Sequence, residues 1–141
     1  MHCVFSTKGR CRTITPDLRD RLWPFLGGIA RENGMKAISI GGMEDHVHVL
    51  LSIPATETIA KAVQLLKGAS SRWVHAEFPE RGDFAWQEGY GAFSIGASGI
   101  DATVDYINSQ TIHHKKRTFE EEFVGLLKRY GMDYDERYLF G

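Results

Sequence analysis

The chain has 141 residues, of which 43% are hydrophobic, and its formal net charge is −1 at pH 7. A typical domain has roughly 100 to 150 residues, so residues 1–141 are predicted to form one domain with one core. The near-neutral charge excludes a protein that coats nucleic acid by charge alone, because such binding needs many lysine and arginine contacts to phosphates. No apolar run approaches the roughly 18 residues of a membrane span, which predicts a cytoplasmic protein with no membrane partner.

The chain begins with a predicted strand and a predicted helix. A short run at residues 2–7 is typical of a strand. Thr15-Pro16 then supplies a helix cap and a proline at the first helical position. The apolar stripe that follows ends at Asn33-Gly34, which tolerate the left-handed backbone region, so we expect the helix to end there.

The middle of the chain predicts a hairpin, a second helix and a fourth strand. Residues 35–40 and 46–53 predict two strands joined by a turn at 41–45, which together make an antiparallel hairpin. Apolar residues spaced by three or four between 59 and 73 predict a long helix. The segment 84–95 mixes aromatic residues with glycines, which is typical of a bulged or interrupted strand.

Two further helices are expected after the fourth strand. Ser98 and Asp101 have the spacing of a capping box that begins one helix, and Thr118 with Glu121 begins the other. The last helix turns four apolar side chains inward: Phe119, Phe123, Leu126 and Leu127. The order of elements predicts an α+β fold with a ferredoxin-like (βαββαβ) antiparallel sheet and additional C-terminal helices.

The third predicted strand contains Asp45-His46-Val47-His48. Because side chains alternate between the two faces of a strand, His46 and His48 share one face, about 6.6 Å apart along the strand. Two histidines so placed can bind one metal ion. The alternative is a pair of polar residues on a solvent-facing strand, and a third ligand would decide between the two.

The helix that follows Ser98 carries a polar flank. Four of its side chains fall on one side at the helical spacing: Tyr106, Gln110, His113 and Arg117. This flank either meets a ligand or is an exposed surface with an ordinary tyrosine. A tyrosine oxygen, with a pKa of about 10, is a poor nucleophile at neutral pH. Tyr106 would therefore need a metal ion that neutralises a phosphate and stabilises the leaving oxygen.

Basic residues elsewhere are further candidates for DNA contacts. They lie in one cluster and on the second long helix: His113, Lys115, Lys116 and Arg117, and Lys67 and Arg72. Such residues are more often part of a solvated surface. His2 and His75 have no metal-compatible partner in the sequence, so we expect them to be structural.

Four segments in order along the chain carry a resemblance to a known family: VFSTK at 4–8, DHVH at 45–48, FAWQEGY at 84–90 and YINSQ at 106–110. With these segments the sequence resembles the single-tyrosine HUH transposases of bacterial insertion sequences, of the insertion-sequence-two-hundred type. The resemblance covers essentially the whole chain. Four segments in the right order are far more specific than any one of them.

The resemblance implies a mechanism and a set of partners. His46, His48 and Gln110 would hold a divalent ion, Mg²⁺ or Mn²⁺, and Tyr106 would attack a DNA phosphate. The products would be a 5′-phosphotyrosine and a free 3′-hydroxyl, which are rejoined without added energy. The substrate would be single-stranded DNA with imperfect hairpins at the element ends, and the enzyme would be a homodimer.

Other functions compete with this one. A non-catalytic single-stranded nucleic-acid-binding module can use the same scaffold, but RNA-recognition domains carry a basic-aromatic strand that this sequence lacks. A replication initiator or conjugative relaxase uses similar chemistry, ordinarily in a larger chain. A metal-dependent hydrolase would leave Tyr106 incidental, and a domesticated relative would be a lone gene without element ends.

Overall fold

The structure is a computed structural model that describes residues 1–113 and 118–132. Within these ranges the main elements are β1 (His2–Ser6), α1 (Pro16–Glu32), β2 (Lys36–Met43), β3 (His46–Ser52), α2 (Ile59–Glu77), β4 (Gly91–Phe93), α3 (Ile100–Asn108), α4 (Gln110–His113) and α5 (Phe119–Arg129). Short 3-10 turns at Lys8–Arg10, Pro79–Arg81 and Ala97–Gly99 connect some of them.

The four strands form one antiparallel sheet in the order β2-β3-β1-β4. The strands β1 and β3 occupy the centre, so each of them is hydrogen-bonded on both sides. This arrangement confirms the predicted α+β class and the ferredoxin-like antiparallel sheet.

The long helices agree with the prediction. Helix α1 begins at Pro16, directly after Thr15, and Gly34 just beyond its end has a φ of 74°. Helix α2 is continuous, and the Thr58 side chain caps it by accepting a hydrogen bond from the backbone of Lys61. None of the helices in the described ranges is long and apolar enough to cross a membrane.

The main hydrophobic core lies between one face of the sheet and the helices α1 and α2. Strand residues that point to this face are buried: Cys3, Phe5, Val47, Val49 and Leu51. The helices supply apolar residues at helical spacing: Leu18, Leu22, Leu26, Val63 and Leu66. Each such side chain stabilises the fold by roughly 1.5–3 kcal/mol when it leaves water, so this face anchors the sheet.

A second, smaller core lies on the other face of the sheet, under α5. Apolar residues of the strands and of α5 meet there: Val4, Phe93, Phe119, Leu126 and Leu127. Because strand side chains alternate, His46 and His48 point to this same face. Both histidines are completely buried, so the alternative of a solvent-facing strand is wrong.

The turn of the hairpin is shorter than expected. Residues 41–45 were predicted to form the turn, but β2 continues to Met43, and Gly41 pairs with His48. A glycine is needed here because a Cβ on Gly41 would lie 2.3 Å from the backbone oxygen of Ile107. The absence of a side chain therefore allows α3 to lie directly on β2.

The fourth strand is interrupted, as predicted over 84–95. An isolated bridge joins Trp86 to the residue that follows β1, and the three residues of β4 then pair with β1 itself. The ammonium group of Lys67 donates hydrogen bonds to the backbone oxygens of Gln87 and Gly89. A side chain of α2 thus satisfies two backbone oxygens in the segment between the bridge and β4.

The helix after β4 is broken. We expected one helix beginning at a capping box at Ser98, but Gly99 is the N-cap of α3, with no side-chain cap, and Ser109 separates α3 from α4. The capping box predicted at Ser98 is therefore wrong. The capping box of Thr118 and Glu121 at the start of α5 is confirmed.

Candidate active site

The central strand β3 places two histidines at the middle of the sheet. His46 lies opposite Ser6, and His48 lies opposite Val4 on β1. The two imidazole rings are perpendicular, with their centroids 5.1 Å apart. Since β3 is hydrogen-bonded to a neighbour on each side, its backbone holds the positions of both rings.

Each histidine is oriented by a hydrogen bond at its Nδ1 atom. His46 Nδ1 donates to Asp45 Oδ1 at 2.7 Å, and His48 Nδ1 lies 2.8 Å from Nε2 of His2. Partners of this kind fix a ring and leave its Nε2 directed at the centre of a site. His2 was expected to be purely structural, and its contact with His48 arises from the register of β1 on β3, which neither strand reveals alone.

Gln110 reaches the same centre from the first residue of α4. Its Oε1 lies 3.0 Å from His46 Nε2, and its side chain is buried. The structure thus brings Gln110 together with the histidine pair, although the helix between Tyr106 and Gln110 is interrupted.

Tyr106 lies at the edge of this cluster, near the end of α3. Its ring is perpendicular to that of His48, with the centroids 5.7 Å apart, and its hydroxyl donates a hydrogen bond to Glu122 Oε2. A cleft of about 240 Å³ lies beside the ring and is lined in part by Ser94 and Arg129. The half-buried Tyr106 therefore borders both the buried donor atoms and open space.

Glu122 is a site residue that the sequence analysis missed. Its Oε1 accepts a hydrogen bond from His48 Nε2 at 2.9 Å, and its Oε2 accepts one from the Gln110 amide at 3.0 Å. A signal was available, because Glu122 lies three residues after Phe119 and four before Leu126, within the apolar stripe of α5. A carboxylate in an apolar stripe needs a polar partner in the core.

The donor atoms have the spacing expected for ligands of one metal ion. His46, His48 and Glu122 form a group that can hold a cation, with ligand atoms within 4.8 Å of one another. Glu122 Oε1 lies 2.9 Å from His48 Nε2 and 3.5 Å from His46 Nε2. Neighbouring ligands of an octahedral ion with bonds of about 2.1 Å are about 3 Å apart, so the residues fit a divalent cation.

The surroundings of His46 and His2 shift their pKa values in opposite directions. Burial alone would lower the pKa of His46, but hydrogen bonds to Asp45 and Glu122 and the charges of both carboxylates raise it to about 9. Burial and the neighbouring His48 lower the pKa of His2 to about 3. At neutral pH His46 is therefore a cation and His2 is neutral. Metal binding must displace the proton at His46 Nε2, because only a deprotonated nitrogen can be a ligand.

Among the basic residues predicted to contact DNA, the structure describes the side chains of Lys67 and Arg72. Lys67 is held by the two carbonyl groups described above, and burial lowers its pKa to about 8. Arg72 is exposed on α2. The remaining residues lie at or beyond the edge of the described ranges: His113, whose backbone ends α4, and Lys115, Lys116 and Arg117, which lie outside the described residues. Their contact with DNA stays a prediction.

Fold and site together define a class: α+β proteins with a ferredoxin-like antiparallel sheet, a buried His-X-His pair on a central strand and a helical tyrosine against that pair. A family model described as "Transposase IS200 like" matches residues 1–110. The chain therefore belongs to the family of IS200-like transposases. The matched region contains both histidines, Tyr106 and Gln110, and it ends before α5.

Individual relatives agree with this assignment. The ISDra2 transposase TnpA of Deinococcus radiodurans is 31% identical over 114 residues, covering 77% of this chain and 81% of the relative. The transposase for insertion sequence element IS200 of Salmonella typhimurium is 25% identical, covering 77% of this chain and 74% of the relative. The chain is thus similar to these transposases over most of their length.

The likeness extends to solved structures. A crystal structure of a candidate transposase from Deinococcus radiodurans R1 has a TM-score of 0.64 and 29% identity, covering 77% of this chain and 88% of that one. A REP-associated tyrosine transposase bound to a REP hairpin has a TM-score of 0.60 and 14% identity, covering 80% of this chain and 66% of that one. The second likeness is one of fold alone.

The raised pKa of His46 predicts a pH-dependent stability. A group whose pKa rises on folding, here from 6.5 to about 9, stabilises the protein fully below pH 6.5 and loses that contribution as the pH rises through about 9. We expect the difference in melting temperature between wild type and His46→Gln, both in EDTA, to shrink from pH 6.5 to 9.5. Groups common to both proteins cancel in this difference. A constant difference would show that His46 has an ordinary pKa.

Proposed function

We propose that the chain is a metal-dependent transposase that cleaves and rejoins single-stranded DNA at hairpin-marked element ends through a covalent link to Tyr106. The observation that carries this proposal is the convergence of Tyr106, His46, His48 and Gln110 on one point of the sheet. Membership of the IS200-like transposase family supports it.

Tyr106 is the nucleophile in this proposal. Its hydroxyl contacts the buried cluster, and its ring borders a cleft in which a DNA strand can approach. In cleavage the tyrosine oxygen forms a bond to phosphorus and the bond from phosphorus to the 3′-oxygen breaks, which leaves a 5′-phosphotyrosine and a 3′-hydroxyl. Rejoining is the reverse reaction with a 3′-hydroxyl as nucleophile. One phosphodiester is exchanged for another, so no added energy is needed.

His46, His48 and Gln110 are the proposed ligands of a divalent ion, Mg²⁺ or Mn²⁺. They offer two imidazole nitrogens and an amide oxygen, with Asp45 and His2 fixing the two rings. A bound ion at this place supplies positive charge that neutralises the phosphate and stabilises the leaving oxygen. This donor set leaves coordination positions for a substrate, as a catalytic site requires.

Single-stranded DNA with hairpins is the proposed substrate. The REP-associated transposase of the same fold was solved bound to a REP hairpin, which supports a hairpin as the recognised feature. Cleavage requires a phosphate to enter between the histidines and the phenol with its neighbouring nucleotides splayed apart. In a duplex each base-pair step costs ~1.4 kcal/mol to melt, so we propose that paired DNA is not cleaved.

A homodimer is the proposed assembly. The tyrosine could in principle serve its own histidines or those of a partner. The placement of Tyr106 beside His48 of the same chain favours a site completed within one subunit.

Tyr106→Phe tests the nucleophile. The substitution removes one oxygen and no group expected to contact phosphate, so cleavage and the covalent adduct should fall to background while hairpin binding stays within several-fold. Tyr130→Phe is the matched control, because Tyr130 lines the same cleft but contacts Phe93 instead of the histidines. Adducts are measured on a denaturing gel with labelled DNA. Cleavage by Tyr106→Phe at the wild-type rate would falsify the assignment.

Metal removal tests the cofactor. EDTA should stop cleavage, and Mg²⁺ or Mn²⁺ should restore it. The double variant His46→Ala plus His48→Ala should be inactive with either ion. His75→Ala is the control, because His75 lies on α2, where its Nε2 is 2.7 Å from the backbone oxygen of Phe84. Full activity of the double variant would show that the pair is not the metal site.

Mixed dimers test which subunit supplies the tyrosine. His46→Ala and Tyr106→Phe proteins are each expected to be inactive alone. If each site is completed within one chain, every site in a mixed dimer contains one of the two substitutions. Cleavage of single-stranded DNA should therefore not return. Subunit exchange is verified by co-purification of two differently tagged copies. Partial recovery of cleavage would mean that Tyr106 serves the partner's histidines.

A further inference from the structure

We propose that Glu122 of α5 is a third, anionic ligand of the metal ion, which binds between its carboxylate and the Nε2 atoms of His46 and His48. This inference rests on the proposed function, because it assumes that the enzyme uses a divalent ion. It extends that function to α5, which lies beyond residues 1–110 that match the family model.

The first argument is the geometry of one oxygen atom. Glu122 Oε1 lies 2.9 Å from Nε2 of His48 and 3.5 Å from Nε2 of His46. Adjacent ligands of one octahedral ion lie about 3 Å apart, so this oxygen already has the spacing of a ligand relative to both nitrogens. The Gln110 oxygen, 3.0 Å from His46 Nε2, has a similar spacing on the same ring.

The second argument is the burial of charge. Glu122 is 1% exposed and lies on an α5 face whose other buried residues are Phe119, Leu126 and Leu127. Removing a carboxylate from water costs several kcal/mol unless cations or hydrogen-bond donors compensate. An apolar side chain would have packed α5 without that cost. Hydrogen bonds from His48, Tyr106 and Gln110 compensate part of this cost. A divalent ion between the carboxylate and the two histidines would compensate the charge more fully, so a buried carboxylate at this position suits a metal ligand.

The third argument is that the two carboxylate oxygens of Glu122 contact different groups. Oε2 accepts hydrogen bonds from the Tyr106 hydroxyl and the Gln110 amide, while Oε1 faces the two histidines. Oε1 can therefore bind a cation without breaking the contacts of Oε2. In this arrangement Glu122 also fixes the distance between the nucleophile and the ion.

The chemical nature of the proposed ligand atoms favours one class of metal ion. Imidazole nitrogens suit transition metals, whereas Mg²⁺ prefers oxygen ligands and gives up its waters reluctantly. Two nitrogens with a carboxylate and an amide oxygen therefore favour Mn²⁺ over Mg²⁺. Mn²⁺ is accordingly the probe for the test.

The test measures Mn²⁺ binding to the DNA-free protein by isothermal titration calorimetry. Glu122→Gln keeps the size of the side chain and one acceptor oxygen but removes its charge, and its NH2 group donates where the second carboxylate oxygen accepted. We expect it to weaken Mn²⁺ binding at least tenfold, since loss of a residue that only orients a ligand already costs about 10-fold to 100-fold. Glu120→Gln is the matched control on the same helix, because Glu120 pairs with Arg10 outside the cluster. It should change the affinity less than about twofold.

A second measurement uses unaltered protein, in case Glu122→Gln does not fold. If Glu122 is a ligand, Mn²⁺ tethers α5 to the sheet, and amide hydrogen exchange in Phe119–Arg129 should slow on Mn²⁺ binding. Unchanged or faster exchange in α5 at saturating Mn²⁺ would overturn the proposal. Equal Mn²⁺ affinity of Glu122→Gln and wild type would also overturn it. If that variant in addition cleaved DNA faster than wild type, Glu122 would only occupy the place of the phosphate.

The two proposals fail in different ways. If wild type does not bind Mn²⁺ and EDTA does not reduce its cleavage activity, the metal-dependent function is refuted, and the role of Glu122 as a ligand is refuted with it. If wild type binds Mn²⁺ and the Glu122→Gln variant binds it equally well, the function stands and only the role of Glu122 is lost.

Discussion

The balance of charge in the buried space between β3 and α5 is the constraint on which the site depends. Glu122 and a protonated His46 lie where water is excluded, and unpaired charges there would cost several kcal/mol each. The carboxylates of Asp45 and Glu122 compensate the charge of His46, because Asp45 lies at its Nδ1 atom and Glu122 at its Nε2 atom. The packing of α5 on the sheet and the ionisation of His46 are therefore mutually dependent.

The order of the elements could be predicted because long amphipathic helices and short apolar strands leave clear periodic patterns. The errors occurred where tertiary contacts override a local rule. Gly41 looks like a turn residue, yet it lies in β2, and it is a glycine because α3 passes too close for a side chain. The interruption within 84–95 was predicted from its glycines, but the hydrogen bonds of Lys67 to two carbonyl groups just before β4 were not. Such contacts are long-range and leave no periodic signature.

The site could be predicted in part for a similar reason. His46 and His48 share a face because of the strand period alone, and the helical period puts Tyr106 and Gln110 on one flank even though Ser109 interrupts the helix. The apolar stripe of α5 indicates that Glu122 is buried, but its contact with His48 arises only because α5 folds back over β3, which no local pattern records. The same holds for His2, whose position at His48 depends on strand register.

The residues around the metal-binding group come from both ends of the described chain, from β1 to α5. During synthesis His48 leaves the ribosome 74 residues before Glu122, and Tyr106 leaves it 16 residues before. A nascent chain that has reached the end of α4 therefore has Tyr106 and the imidazoles but not the helix that covers them. The closed arrangement of this cluster exists only once translation has passed α5.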